Sequence, residues 1–456
     1  MTGTALSGKK YKAYSEYKES GVEWLDCLPL NWKTVSLKML LDVRDGTHDT
    51  PSYVEPSLSS YPLVTSKDVT GGEINLTNCK QISKEDYRSI IKRSAVSLGD
   101  ILMPMIGTVG SPILINNNPN IAIKNLALFK TSAKQSQIET KYLLYFLNSN
   151  ECSLQFSLES RGGVQNFVSL GTLRNLELPL ISRSEQQKIA NFLDHETAKI
   201  DTLITKQEKL IELLKEKRQA VISHAVTKGL NPNAPMRDSG EEWLGEVPEH
   251  WVHSTLKHYS NVIDCKHITA EFFDSGIPLA SIGEVKGWFV DLISAKYTNE
   301  KYYKELIGGG RKPQVGDIIY SRNATVGEAA IVRTGLAPFA MGQDVCLIKL
   351  YEELLPEFAM YVFHSGVISQ QLELAMVGST FKRINVDNIR NFAFAIPPYQ
   401  EQELIVKELE KLTSKYDKLV LNATNAIHLM KERKTALISA AVTGKIDVRD
   451  FAVEEN

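Results

Sequence analysis

The chain has 456 residues and a formal net charge of −2, with 43% hydrophobic and 23% charged residues. This balance is typical of a globular protein of two to four domains, and no apolar run is long enough to predict a membrane-spanning helix. The charge argues against a free-standing protein that neutralises many DNA phosphates by itself.

The chain starts with a polar segment and contains no cysteine motif. Residues 1–18 lack the apolar stretch of a signal peptide and are predicted to form an N-terminal tail. The five cysteines lie far apart and include no Cys-x-x-Cys pair, so neither a zinc site nor a disulfide framework is indicated. Isolated, reduced thiols are typical of a cytoplasmic protein.

The sequence contains an internal duplication. Ser20-Gly21-Val22-Glu23-Trp24-Leu25 returns 219 positions later as Ser239-Gly240-Glu241-Glu242-Trp243-Leu244, and Asp45-Gly46-Thr47-His48 returns as Asp264-Cys265-Lys266-His267. Further matches, 216 or 217 positions apart, are Thr108-Val109-Gly110 with Thr325-Val326-Gly327 and Glu185-Gln186 with Glu401-Gln402. Matches in one order along most of the chain predict two copies of a unit of about 220 residues.

Each copy begins with a predicted globular domain, residues 19–181 in the first and 239–397 in the second. Short apolar runs such as Ile101-Leu102-Met103 alternate with turn signals and predict strands. A helix is predicted at 140–147 and again at 356–363. The fold class is therefore predicted as α+β, with two mixed α/β domains.

Each copy ends with a long predicted helix, residues 182–228 and 398–446. Residues 184–226 contain no proline or glycine, and apolar residues recur at heptad spacing. Gly229 and Gly444 mark the helix ends. Between the copies, residues 229–238 include Asn231-Pro232-Asn233-Ala234-Pro235 and predict a linker, and residues 447–456 form a tail.

Helices of this length cannot bury an apolar stripe alone. Since one domain intervenes between them, we expect them to pack together as an antiparallel coiled coil, giving the chain pseudo-two-fold symmetry. The alternative is that each helix is buried separately against its own domain. A paired spacer between two domains is the geometry by which dimeric proteins contact two DNA half-sites.

At this point the chain resembles the specificity subunits of type I restriction–modification systems. The resemblance covers residues 15–446 and is carried by residues 239–251 with their first-copy counterpart, by the Asp45–Pro51 run Asp-Gly-Thr-His-Asp-Thr-Pro, by the Thr-Val-Gly turns and by the Glu-Gln helix starts. It implies a non-catalytic subunit in which two target-recognition domains read a split sequence in double-stranded DNA. It also implies two methyltransferase subunits and further restriction subunits as partners, which would bind adenosylmethionine, ATP and magnesium, leaving no cofactor or metal for this chain.

The candidate DNA-binding residues are polar or basic side chains near glycine, because such side chains can bond base edges and phosphates. In the first copy they are Thr47, His48, Lys67, Thr108, Arg161, Gln165 and Asn166. In the second copy they are Lys266, His267, Arg322, Asn323, Thr325, Lys382 and Arg383.

The sequence motifs give little support for an enzymatic function. Pro397-Pro398-Tyr399 resembles part of an adenine methyltransferase motif, but Ile396 stands where the motif needs Asp or Asn. Asp274, Glu284 and Lys286 have the spacing of a metal nuclease, but the first copy lacks the lysine. The run 308–312 lacks the Ser or Thr of a phosphate loop. An interaction scaffold that binds no DNA remains the other alternative.

Overall fold

A computed structural model describes residues 11–70, 72–107, 109–117, 119–132, 137–159, 167–323, 326–376 and 383–451. The chain divides into two compact units, Met1–Gln207 with Asn425–Asn456, and Glu208–Thr424. Within the described ranges, no helix is both long enough and apolar enough to cross a membrane.

The first unit combines short strands with helices. Its strands are β1 (Tyr17–Val22), β2 (Leu25–Pro29), β3 (Lys33–Ser36), β4 (Val43–Asp45), β5 (Tyr53–Val54), β6 (Tyr61–Val64), β7 (Val69–Thr70), β8 (Glu73–Ile74), β9 (Lys80–Ile82), β10 (Ile101–Pro104), β11 (Ile113–Leu114), β12 (Ala122–Ile123), β13 (Leu126–Phe129) and β14 (Glu177–Leu180). Its helices are α1 (Lys84–Ser94), α2 (Thr140–Leu147), α3 (Asn150–Glu159), α4 (Leu170–Asn175) and the long α5 (Arg183–Lys228), which continues into the second unit.

The second unit has the same plan. Its strands are β15 (Met236–Asp238), β16 (Glu246–Pro248), β17 (Val252–Thr255), β18 (Ser260–Asp264), β19 (Ile277–Ala280), β20 (Lys296–Thr298), β21 (Ile318–Ser321), β22 (Ala329–Ile331), β23 (Ala340–Met341), β24 (Val345–Leu350) and β25 (Ala393–Ile396). Its helices are α6 (Glu300–Leu306), α7 (Pro356–Phe363), α8 (Gly366–Met376), α9 (Val386–Arg390) and the long α10 (Tyr399–Val442), which continues into the first unit.

The duplication seen in the sequence is also a duplication of topology. The first unit has a four-stranded sheet in the order β11-β10-β13-β4, and the second has β22-β21-β24-β18, strand for strand. A second sheet, β12-β6-β9-β5, corresponds to β23-β19-β20, with the β12–β6 and β23–β19 pairs both parallel. The prediction of mixed α/β domains in two copies is confirmed.

The central strands of each four-stranded sheet are buried on both faces. In β10, Ile101 and Met103 belong to a core shared with the helices, whereas Leu102 belongs to a separate core near β12. In β21, Ile318 and Tyr320 face one core and Ile319 the other. Since successive side chains in a strand point to opposite faces, a sheet between two cores needs continuous apolar runs, as the sequence has.

Both long helices begin with a buried glutamine and end at a glycine. The Gln186 side chain accepts from Glu139 N at 2.7 Å and donates to Ile181 O at 3.0 Å. Gln402 accepts from Leu355 N at 2.8 Å, so the repeated Glu-Gln pair connects each helix to its globular domain. The helices end before Gly229 and Gly444, whose φ angles of 72° and 73° favour glycine.

The heptad positions are not buried evenly. Ile189 and Leu193 are fully buried near the start of α5, whereas Leu203 and Leu210 are 50% and 42% exposed. The middle of α5 thus exposes apolar side chains that the heptad pattern predicts to lie in a seam.

Gly46, directly after β4, is a position where a side chain does not fit. A Cβ atom there would overlap the main-chain carbonyl of Ile123, whose oxygen also accepts the Thr47 amide at 2.9 Å. Gly46→Ala is therefore expected to destabilise the first unit by about 1–3 kcal/mol, the usual cost of overpacking.

Thermal denaturation checks this prediction, with Gly171→Ala in α4 as the matched control. A Cβ at Gly171 would meet only Ser169 Oγ, at an ordinary 3.5 Å. Alanine in a helix should leave stability unchanged or raise it slightly. Equal melting temperatures for the two variants would contradict the role assigned to Gly46.

Candidate nucleic-acid interface

In the first unit, an Asp-x-x-His loop follows the edge strand β4 of the four-stranded sheet. Asp45 is buried, and its carboxylate is 2.8 Å from His48 Nε2 and also pairs with Arg93 of α1. His48 Nδ1 is 3.2 Å from the side-chain oxygen of Asn125. The imidazole is held between two partners while its side chain remains 54% exposed, so it is oriented and accessible to a ligand.

The second unit repeats this loop after β18 with a different arginine. Asp264 is 3.5 Å from His267 Nε2 and 2.7 Å from Arg322 Nη2. The Arg322 side chain is only 4% exposed, and its Nε and Nη2 atoms form no hydrogen bond of good geometry with the described residues. Its charge is therefore compensated chiefly by Asp264. Arg311 donates from Nε to the main-chain oxygen of Asp264 at 2.8 Å.

A left-handed residue stands beside each loop. Asn125 (φ 54°) precedes β13 and Asp344 (φ 66°) precedes β24, and within the described residues these are the non-glycine positions with positive φ. Asn and Asp tolerate this conformation better than other side chains, and such backbone positions cluster at functional sites. Asn125 O accepts from Met105 N at 3.2 Å, and Asp344 O accepts from Arg322 N at 2.9 Å.

A short crossing segment completes each sheet end. In the first unit Val168 N donates to Met105 O at 2.9 Å. The residues adjacent to these two, Ile106 and Phe167, form an isolated antiparallel bridge. The second unit has the same backbone arrangement. Ile384 N donates to Arg322 O at 2.9 Å, and Asn323 bridges Arg383.

The structure brings seven of the predicted DNA-binding residues to these two corresponding sheet ends. They are Thr47 and His48 in the first unit, and Lys266, His267, Arg322, Asn323 and Arg383 in the second. Lys67 is exposed in the 3-10 turn Ser66–Asp68, which follows β6 of the other sheet. The remaining candidates, Thr108, Arg161, Gln165, Asn166, Thr325 and Lys382, lie outside the described residues.

Of the residues considered for a metal nuclease, Glu284 has a structural role. Glu284 is nearly buried and accepts from Ser281 N at 2.8 Å in a helix-capping arrangement. Burial raises the pKa of the Cys265 thiol next to Asp264, so this cysteine stays protonated. Across the described ranges, no group of three or more His, Cys, Asp or Glu side chains could hold a metal ion.

A family model for the type I restriction modification DNA specificity domain matches residues 29–213 and 250–427, one match in each copy. The chain belongs to this family. Among relatives of this specificity subunit, the MjaVIII specificity subunit of Methanocaldococcus jannaschii is 22% identical over 449 residues, 95% of this chain and 98% of the relative. The EcoKI specificity subunit of Escherichia coli K12 is 22% identical over 400 residues, 84% of this chain and 82% of the relative.

Solved structures of the family share the fold of this specificity subunit. A chain from a structure described as the complex assembly and conformational transition of the type I R-M system has a TM-score of 0.67 at 16% identity, over 92% of this chain and 99% of that chain. The HsdS subunit from Thermoanaerobacter tengcongensis has a TM-score of 0.50 at 15% identity, over 92% and 98%.

Sequence reasoning missed several residues that build the sheet ends of this specificity subunit. Asn125, Asp344 and Arg93 hold the loops, and Ile106 and Phe167 form the bridge in the first unit. The repeated Asp of the Asp-x-x-His run was a usable signal for a carboxylate that pairs with an arginine in each unit. The others carry no local motif, because their importance comes from the segments they face.

Proposed function

We propose that this chain is the non-catalytic DNA specificity subunit of a type I restriction–modification complex, in which residues 19–181 and 239–397 each read one half of a split DNA target. The observation that carries the proposal is the repeat of one sheet end, with the same Asp-x-x-His loop and left-handed residue, in two units of a DNA specificity family. Because the side chains around this shared frame differ between the copies, the half-sites are expected to differ in sequence.

In this proposal, polar and basic side chains of each domain contact DNA. The first domain uses Thr47, His48, Lys67, Thr108, Arg161, Gln165 and Asn166, and the second uses Lys266, His267, Asn323, Thr325, Lys382 and Arg383. Arg, Asn and Gln bond base edges, whereas Lys and Thr mainly contact the backbone. Arg322 is assigned a positioning role, because its buried guanidinium acts on the loop through Asp264.

We propose that two helical regions, 182–228 and 398–446, form an antiparallel coiled coil that sets the half-site spacing. The linker 229–238 connects the two copies. Two ion pairs support this coiled coil. Lys434 Nζ is 2.7 Å from Asp201 in the first unit, and Arg218 Nε is 2.9 Å from Asp417 in the second. Asp201 precedes Arg218 by 17 positions and Asp417 precedes Lys434 by 17, as expected for antiparallel helices.

Two properties of the chain support partner subunits: the exposed apolar surface of the long helices and the net charge of the chain. Leucines on these helices are 40–64% exposed at Leu203, Leu210, Leu213, Leu419, Leu421 and Leu429. An apolar surface of this kind supports docking of two methyltransferase subunits, which restriction subunits would join. These partners would bind adenosylmethionine, ATP and magnesium in the cytoplasm. They would also supply phosphate contacts that a chain of net charge −2 lacks.

Methylome sequencing tests the proposal. Cells that express this chain with its methyltransferase subunit are compared with cells that lack only this chain. We expect a split, asymmetric methylated motif that disappears without the chain. If the subunits associate but no motif is methylated, the chain is a scaffold without DNA reading, and the proposed function is wrong.

A further inference from the structure

The isolated bridge at each sheet end has the same backbone arrangement in both units, but the chemical character of its paired side chains differs. Ile106 and Phe167 occupy it in the first unit, and Asn323 and Arg383 occupy it in the second. Residues directly opposite in an antiparallel bridge point to the same face with Cβ atoms about 5 Å apart. Each unit therefore presents a closely spaced pair of side chains beside its Asp-x-x-His loop.

The fold does not explain why the first pair is apolar. Ile106 is 41% exposed and Phe167 is 44% exposed, so neither is fully buried in a core. At the same positions of the second unit, a polar and a charged residue maintain the same bridge. The backbone bonds on the neighbouring Met105 and Arg322 hold both bridges, so the bridge does not require one particular pair of side chains.

The chemistry of each pair matches a different feature of a base pair. Arginine and asparagine are the side chains that form paired hydrogen bonds with guanine and adenine in the major groove. An exposed apolar pair cannot form such bonds, but it matches the 5-methyl group of thymine, the apolar feature of that groove. The two units would thus read different bases with one backbone element.

We propose that the bridge pair is a specificity-determining position in each half-site. Ile106 and Phe167 contact a thymine methyl group in the first half-site, and Asn323 and Arg383 hydrogen-bond to a purine edge in the second. This inference rests on the proposed function, because it assumes that both sheet ends face DNA.

The test uses the complex of the full chain with its methyltransferase subunit and a duplex that contains its methylated motif. Each thymine of the first half-site is replaced in turn by deoxyuridine, which removes only the methyl group. We expect one replacement to lower the affinity about fourfold, the value of one buried methyl group. Phe167→Ala should lose this sensitivity, whereas Arg383→Ala should reduce discrimination at one purine of the second half-site about ten- to hundredfold.

Leu154→Ala is the matched control, because Leu154 of α3 is also 44% exposed but lies outside the bridge. It should retain the sensitivity to deoxyuridine. Unchanged discrimination at the other bases of the first half-site shows that Phe167→Ala leaves the first unit folded, and the deoxyuridine scan of the native chain needs no variant.

Three results would overturn the inference. They are a first half-site without thymine, a native complex indifferent to every deoxyuridine, and a Phe167→Ala complex that stays sensitive. An apolar wedge in the minor groove would produce the second result. In all three cases the proposed function still holds if the native complex binds its motif more tightly than other DNA sequences. A complex without any sequence preference removes both.

Discussion

Deleting seven residues from each long helix, 203–209 and 426–432, is expected to move methylation to a motif whose unspecified spacer is about three base pairs shorter. Seven residues correspond to about 10 Å of helix, and the rise of DNA is about 3.4 Å per base pair. One heptad is two helical turns, so the deletion leaves the apolar stripe on the same face. In the proposed antiparallel coiled coil, a register that follows the ion pairs Asp201–Lys434 and Arg218–Asp417 would place the two deletions opposite each other.

Methylome sequencing measures the spacer of this variant directly. Lys209→Ala with Glu212→Ala is the matched control, because it removes an exposed ion pair from the same part of α5 without changing its length. This control should methylate the original motif, since exposed pairs of this kind contribute little stability. If the shortened chain methylates the original motif, the helices do not set the spacing.

Asp264→Ala is expected to destabilise the second unit by about 3–5 kcal/mol and to abolish reading of the second half-site. The substitution leaves the buried guanidinium of Arg322 without its ion-pair partner, which is costly in a site of low polarity. Hydrogen–deuterium exchange locates the effect. Amides of β18, β21 and β24 should exchange faster, while those of β4, β10 and β13 should stay protected.

Arg322→Met separates the charge effect from a packing effect. Methionine is the natural residue at the equivalent position in the first unit, where Met105 is buried and makes the same backbone hydrogen bonds. Asp264 is 32% exposed and stays hydrated without Arg322, so this variant should lose at most about 1 kcal/mol. The double variant should regain much of the stability lost in Asp264→Ala. If Arg322→Met is as unstable as Asp264→Ala, the ion pair is not the cause.

The candidate site was only partly predictable. Thr47, His48, Lys266 and His267 are candidates by residue type, as polar or basic side chains near glycine, and they lie in the loops after β4 and β18. The residue type of Arg322 predicts a DNA contact, but the structure buries this side chain against Asp264. A single sequence does not show whether an arginine in a loop points outward or replaces a core residue such as Met105.

The sequence alone determined the duplication, the strand runs and the long helices. These features are local or periodic. An apolar run, a heptad spacing and a terminal glycine act through neighbours a few residues away, so their signal is present in the chain.

Only the tertiary structure decided which residues share a sheet end. Ile106 meets Phe167, and Asn323 meets Arg383, across 60 or so residues of intervening chain, and these contacts depend on strand order and register. It also decided that heptad positions such as Leu203 stay exposed, because burial requires a facing surface that periodicity cannot supply.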